Sequence, residues 1–180
     1  VATILPGIAD HNFSEKGASW KYLRDPANYD FRPKAGSPLV DAGALVNRNE
    51  VPSRVANFPG QKYVGSAPDI GAYEYGDTHY WIPGRLETTA TVPVPKNHGR
   101  NVPLNADLMF LEAYQAKEHT VYFGEDPTKL EAIASLKGTE TNIASPTGLK
   151  GKTTYYWQVG ALKTSGAEDR SPVWSFTTTD

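Results

Sequence analysis

The sequence predicts an all-β protein, and three observations carry that reading. Gly (16) and Pro (14) together make up one residue in six of the 180, a density of turn formers that suits short strands better than helix bundles. From residue 86 onward, short apolar runs alternate with turn signals at a spacing of roughly 8–12 residues, the pattern of an antiparallel sandwich. Residues 1–84 show no helix longer than about two turns.

The chain divides into two parts, 1–84 and 85–180. The first is irregular. It carries Pro-Gly at 6–7, 59–60 and 83–84, Asp-Pro at 25–26 and Gly-Ser-Pro at 36–38. Its apolar runs are short: Pro38-Leu39-Val40, Ala44-Leu45-Val46 and Ile70-Gly71-Ala72-Tyr73. Loops this dense make a poor independent core, so the segment reads as a cap or apron on something larger.

The second part offers seven strands: Thr89–Val94, Ala106–Leu111, His119–Phe123, Ala132–Leu136, Thr141–Ala144, Thr154–Leu162 and Val173–Thr178. Alternation places Tyr155, Trp157, Val159 and Ala161 on one face, assigned to the core. It also makes Trp174 and Phe176 the inward pair of the last strand. The stretch from Asn105 to Tyr114 fits either a strand or a helix capped by Asn105; the even strand spacing around it favours the strand. No repeat of fixed period runs through the chain.

Composition excludes several functions. Aromatics at 11% are too many for a disordered chain. A net charge of −2, with scattered Lys and Arg, gives no electrostatic case for nucleic acid or an anionic membrane. No apolar run is long enough for a membrane span. The lack of Cys removes disulfides and thiolate metal sites without fixing the compartment. The start, Val1-Ala2-Thr3, has neither an initiator Met nor a signal-peptide pattern, so the chain is read as a piece of a longer one.

Two stretches carry most of the information. One runs from Asp25 to Gly43 and contains Asp30-Phe31-Arg32 and Gly36-Ser37-Pro38-Leu39-Val40-Asp41-Ala42-Gly43. The other is Ala67-Pro68-Asp69-Ile70-Gly71-Ala72-Tyr73-Glu74-Tyr75-Gly76. Together they resemble the ending of secreted right-handed parallel β-helix proteins, in which D-[FY]-R … G-S-P-x-[IV]-D-x-G precedes P-D-I-G-A-[FY]-E. The resemblance implies a terminal cap of a right-handed parallel β-helix, with Ile70, Tyr73 and Leu39 plugging its apolar end. Pro38 would block further ladder pairing at an exposed edge.

Later, Leu149-Lys150-Gly151-Lys152-Thr153-Thr154-Tyr155 resembles the L-x-P-G-T-x-Y turn of fibronectin type III domains, with Gly151 and Lys152 departing from it. That resemblance implies a fibronectin III-like (Ig-like) β-sandwich in which Tyr155 makes the tyrosine corner.

Candidate site residues are few. Asp41 and Asp69, each near a Gly, suit carboxylates that accept backbone N–H groups in Asx turns. The competing reading makes Asp30, Asp41, Asp69 and Glu74 a catalytic or calcium-binding set, but the sequence shows no convergence and no Asp-x-Asp-x-Asp-Gly loop. Tyr80 and Trp81, beside His79, offer rings that could stack on sugar or pack within a hinge. His11, His79, His98 and His119 lack zinc spacing. No residue is assigned as catalytic, and no metal or other cofactor is expected, with calcium left open for the parent chain.

The function implied by the β-helix resemblance is the non-catalytic C-terminal end of a secreted bacterial polysaccharide-degrading enzyme, a lyase or a glycoside hydrolase. Its chemistry would sit on coils upstream of Val1. The partners are then those coils and a polysaccharide. The location is extracellular, periplasmic or at the cell surface. The alternatives are a carbohydrate-binding module and the spacer or anchor end of a surface adhesin. Residues 86–180 are expected to fold alone, and residues 1–84 to be marginal without their coils.

Overall fold

The computed structural model describes Phe13 and residues 19–44, 63–82, 87–137 and 140–180. The Pro-Gly pairs at 6–7, 59–60 and 83–84, the Leu45-Val46 run and His11 lie outside the described residues. Described residues up to Pro26 and Phe31–Asp77 form one compact unit; Ala27–Asp30 and Thr78–Asp180 form the other.

In the first unit, a 3-10 turn over Ser19–Tyr22 leads into β1 (Leu23–Asp25). A second 3-10 turn, Pro26–Asn28, whose Ala27 and Asn28 count with the second unit, precedes β2 (Asp30–Pro33), which pairs with β1. Phe13 meets Tyr22 edge-on at 5.2 Å, and Trp20 lies 6.2 Å from Phe31. Gly36 then adopts φ 68, and the Ser37 amide bonds back to the Lys34 carbonyl at 3.1 Å. Glycine reaches that left-handed region without steric cost, which is why the turn falls there.

The second unit is an antiparallel β-sandwich. Its strands are β3 (Thr91–Val94), β4 (Gly99–Val102), β5 (Leu108–Leu111), β6 (Ala116–Gly124), β7 (Glu131–Leu136), β8 (Ile143–Ala144), β9 (Thr154–Lys163), β10 (Glu168–Arg170) and β11 (Trp174–Thr178). One sheet runs β3-β5-β8. The other runs β4-β11-β9-β6-β7, with β10 also paired to β9. That order, three strands facing a longer sheet built on the last strands, is the arrangement of a fibronectin III-like sandwich.

All seven expected strands are present, and the Asn105–Tyr114 stretch contains a strand, with all four residues of β5 buried. Two strands of the sandwich were not anticipated. β4 joins the longer sheet by pairing parallel to β11, with Phe176 opposite Gly99. β10 is entirely exposed.

The core follows the alternation. Tyr155, Trp157, Val159 and Ala161 are buried, as are Trp174 and Phe176. In the β9–β11 register, Trp174 stands opposite Trp157 and Phe176 opposite Tyr155. The two Trp rings meet at 4.7 Å edge-to-face, and Phe123 stacks on Tyr155 at 4.9 Å. Edge and offset contacts of this kind contribute about 1 kcal/mol each beyond simple burial.

Two polar details set the limits of that core. The Tyr155 hydroxyl accepts the Lys150 amide at 2.8 Å, the tyrosine corner implied by the Leu149–Tyr155 motif. His119 is 1% exposed beside Phe110, its Nε2 accepting the Ala113 amide at 3.1 Å. Burial, aided by the Lys163 charge, holds its pKa down at about 4.

Tyr155→Phe should cost about 1–2 kcal/mol in urea unfolding, because the Lys150 amide loses its acceptor. His119 gives a pH signature. The unfolded chain takes up the proton near pH 6.5, the folded chain only near 4. Its contribution to stability is therefore full above pH 6.5 and is lost as pH falls toward 4, by roughly 2–3 kcal/mol. Replacing it with a non-titrating acceptor, His119→Gln, should flatten that part of the melting-temperature profile.

Candidate functional site

In the first unit the two motifs that resemble a β-helix ending lie against each other. The Ile70 amide bonds to the Leu39 carbonyl at 2.8 Å, and the Gly43 amide to the Pro68 carbonyl at 2.6 Å. A side chain at residue 43 would collide with the Pro68 carbonyl, only 2.7 Å from an added Cβ, so Gly43 is what permits this approach. Leu39 is buried, whereas Ile70 and Tyr73 are half-buried.

The carboxylates of these motifs bond to the backbone. Asp41 Oδ1 accepts the Ser66 and Ala67 amides at 2.7 and 3.1 Å. Asp69 accepts the Asp41 amide at 2.8 Å through one oxygen and the Tyr75 amide through the other. Glu74 accepts the Asp69 and Val64 amides. The expected bond type is present, but not the expected local turn. The partners of Asp41 lie 25 and 26 residues away, because an irregular chain must satisfy its amides across loops rather than within a ladder. Gly65, at φ 105, has no room for a Cβ beside the Asp41 carboxylate.

These bonds set the charges. The Ala67 and Ser66 amides hold the Asp41 pKa below the usual carboxylate value. The Asp41 clamp therefore holds at pH values above the ordinary Asp pKa and weakens as pH falls through its lower folded value. Burial pushes Glu74 upward, against the amides that favour its ionised form. Asp30 is buried in β2. Among the described residues no group of three or more His, Cys, Asp or Glu is placed to hold a metal ion.

In the second unit, Tyr80 and Trp81 take different positions. Tyr80 is 7% exposed and Trp81 51% exposed. The Tyr80 backbone is fixed by buried Asn142, whose Oδ1 accepts its amide at 2.8 Å and whose Nδ2 donates to its carbonyl at 2.6 Å. The same Nδ2 donates to the Phe110 carbonyl on β5. Residues 78–80 thus lie along the smaller sheet, and of the two rings Trp81 is the one that meets solvent. Nearby, burial raises the pKa of Glu112, with His79 acting in the opposite direction.

A further feature was not read from the sequence. The outer surface of β4, β11 and the start of β9 forms a groove of about 340 Å³. Its polar lining is His98, Arg100, Asn101, Thr154, Ser175 and Thr177. The signal was hidden because β4 has only one apolar side chain, Val102, and meets β11 across 77 residues.

No family model and no curated protein matches the chain. Solved structures with similar folds include a β-1,2-glucanase from Parabacteroides distasonis, 17% identical over 55% of this chain and 14% of that one, at a TM-score of 0.40. An α-L-rhamnosidase from Streptomyces avermitilis complexed with L-rhamnose is 14% identical over 51% of this chain and 10% of its own, at 0.42. An Fn3-like protein from Clostridium thermocellum is 18% identical over 53% of this chain and 97% of its own, at 0.41. The matched region is thus a small fraction of each hydrolase and nearly all of the Fn3-like protein.

The carboxylate clamp can be checked directly. Asp69→Ala removes the acceptors of the Asp41 and Tyr75 amides. Hydrogen exchange at those two amides should accelerate about tenfold or more, while the Tyr155 and Trp157 amides in β9 keep their rates.

Proposed function

We propose that this chain is the non-catalytic C-terminal part of a secreted bacterial polysaccharide-degrading enzyme. Its first unit closes the end of a right-handed parallel β-helix, and its sandwich follows as a stabilising or spacing module. The catalytic centre, of lyase or hydrolase type, belongs to coils upstream.

The observation that carries the non-catalytic reading is the use of Asp41, Asp69 and Glu74. Each spends its carboxylate on backbone amides. A glycosidase needs two carboxyl groups flanking a bond, one free to give a proton and one free to attack or activate water. A carboxylate whose oxygens accept main-chain donors is oriented away from that task. The β-helix part of the reading is supported by the paired motifs of residues 25–43 and 67–76.

A second reading has its own observation. Trp81 presents a half-exposed indole, and flat aromatic faces suit sugar C–H surfaces. On that reading the chain is a carbohydrate-binding module.

The test uses this chain with neutral glucans, polyuronates and sulfated galactans. Neither reducing ends nor unsaturated sugar ends should accumulate, and a chain extended upstream through further coils should produce one or the other. Turnover by the shorter chain would overturn the proposal. Saturable binding lost in Trp81→Ala would favour the second reading.

A further inference from the structure

We infer that the groove along β4 and β11 is a binding subsite for an acidic sugar, with Arg100 taking the sugar carboxylate. The choice of a sugar rests on the functional reading above; the choice of an anion rests on the groove alone.

The lining is cationic and hydroxylic. It contains one guanidinium, one imidazole, one primary amide and three hydroxyls, and no carboxylate. Among the described residues, the Arg100 guanidinium and the Asn101 side chain have no ion-pair or hydrogen-bond partner. Both are exposed. Several other cations of the sandwich are engaged, Lys150 with Glu125, Lys152 with Asp180, Lys163 with Asp169 and Arg170 with Glu168, whereas among the described residues Lys117 and Lys129, like Arg100, are not. A guanidinium offers parallel N–H donors that match a carboxylate, while an adjacent amide and hydroxyls suit the ring hydroxyls of a sugar.

The frame beneath these groups is fixed before any ligand arrives. The His98 amide bonds to the Ser175 carbonyl at 2.7 Å, and the Ser175 amide to Asn97 Oδ1 at 2.9 Å. His98 Nδ1 and Ser175 Oγ are 3.0 Å apart, and the Thr154 and Thr177 hydroxyls 2.9 Å apart. Buried Asn28 donates to the Arg100 carbonyl at 3.0 Å. A Cβ on Gly99 would lie 2.7 Å from Asn28 Oδ1, so only glycine lets β4 settle this close. His98 and Asn101, at φ 60 and 54, hold left-handed conformations on either side of Gly99 and Arg100. Two such residues cost about 1 kcal/mol or more each, and the surrounding bonds maintain them. The result is a preorganised site at the small end of ligand-pocket volumes, suited to one or two sugar units.

The test is an amide NMR titration of this chain with a galacturonic acid disaccharide, a neutral galactose disaccharide and sodium acetate. The acidic disaccharide should shift Gly99, Arg100, Asn101, Ser175 and Thr177 saturably. It should bind at least tenfold tighter than either of the others. Arg100→Gln, with an otherwise unchanged spectrum, should lose about tenfold or more of that affinity. Equal binding of the neutral disaccharide would overturn the role of the carboxylate. Acetate binding as tightly as the acidic sugar would overturn the sugar. Absence of shifts at these amides would overturn the site itself. Each of these results is separate from the turnover assay, so the groove can fail while the non-catalytic reading stands, and the reverse.

Discussion

The sandwich depends on one strand, β9, and on the alternation of its side chains. β9 is ten residues long and pairs with β6, β10 and β11. Its inward residues Tyr155, Trp157, Val159 and Ala161 supply the centre of the core. Its register also decides what faces outward. With Trp157 opposite Trp174, Ser175 must stand opposite Tyr156 and Thr177 opposite Thr154. A slip of one residue would turn every one of these side chains to the other face. The register that buries the aromatic core therefore also gathers the hydroxyls of the groove.

The first unit solves a different problem. It contains two short strands among its described residues, so ladder bonds satisfy few of its amides. Buried main-chain polar groups left without partners cost about 1–3 kcal/mol each. Asp41, Asp69 and Glu74 take over this duty and tie residues 39–43 to residues 63–75. The arrangement explains why acidic residues sit in a loop-rich segment. An acid that replaces a strand neighbour serves as a structural acceptor.

What the sequence revealed follows the strength of each local signal. Tyr155-Tyr156-Trp157-Gln158-Val159 alternates so cleanly that both its strand and its buried face were legible. Tyr155 was identified as the corner residue from its spacing to Leu149, although Gly151 and Lys152 depart from the motif. The bonding type of Asp41 and Asp69 was legible from their neighbouring glycines; the range was not, since the partners lie on distant loops. β10 was invisible because Glu168-Asp169-Arg170 carries no apolar side chain to reveal a face. Asn142 gave no signal either. Its role arises because a single side-chain amide meets the Tyr80 backbone and the Phe110 carbonyl, a convergence that exists only in three dimensions.

The position of β4 explains why polar recognition would gather there. Central strands owe one face to the core, and their outer faces are flanked on both sides by neighbours. β4 is an edge strand that contributes Val102 and the close-packed Gly99 inward, while Arg100 and Asn101 project to solvent. It is nevertheless not loose. Main-chain bonds to Ser175 and Thr179 hold both of its ends, and Asn28 holds its middle. A strand with few obligations to the core and a fixed backbone can carry polar side chains at defined positions without weakening the fold. The same edge would otherwise expose unpaired backbone groups to other chains, and the charged Arg100 also opposes such pairing. One residue thus serves both edge protection and anion recognition, which is why its substitution separates the groove from the core more cleanly than any change on β9 could.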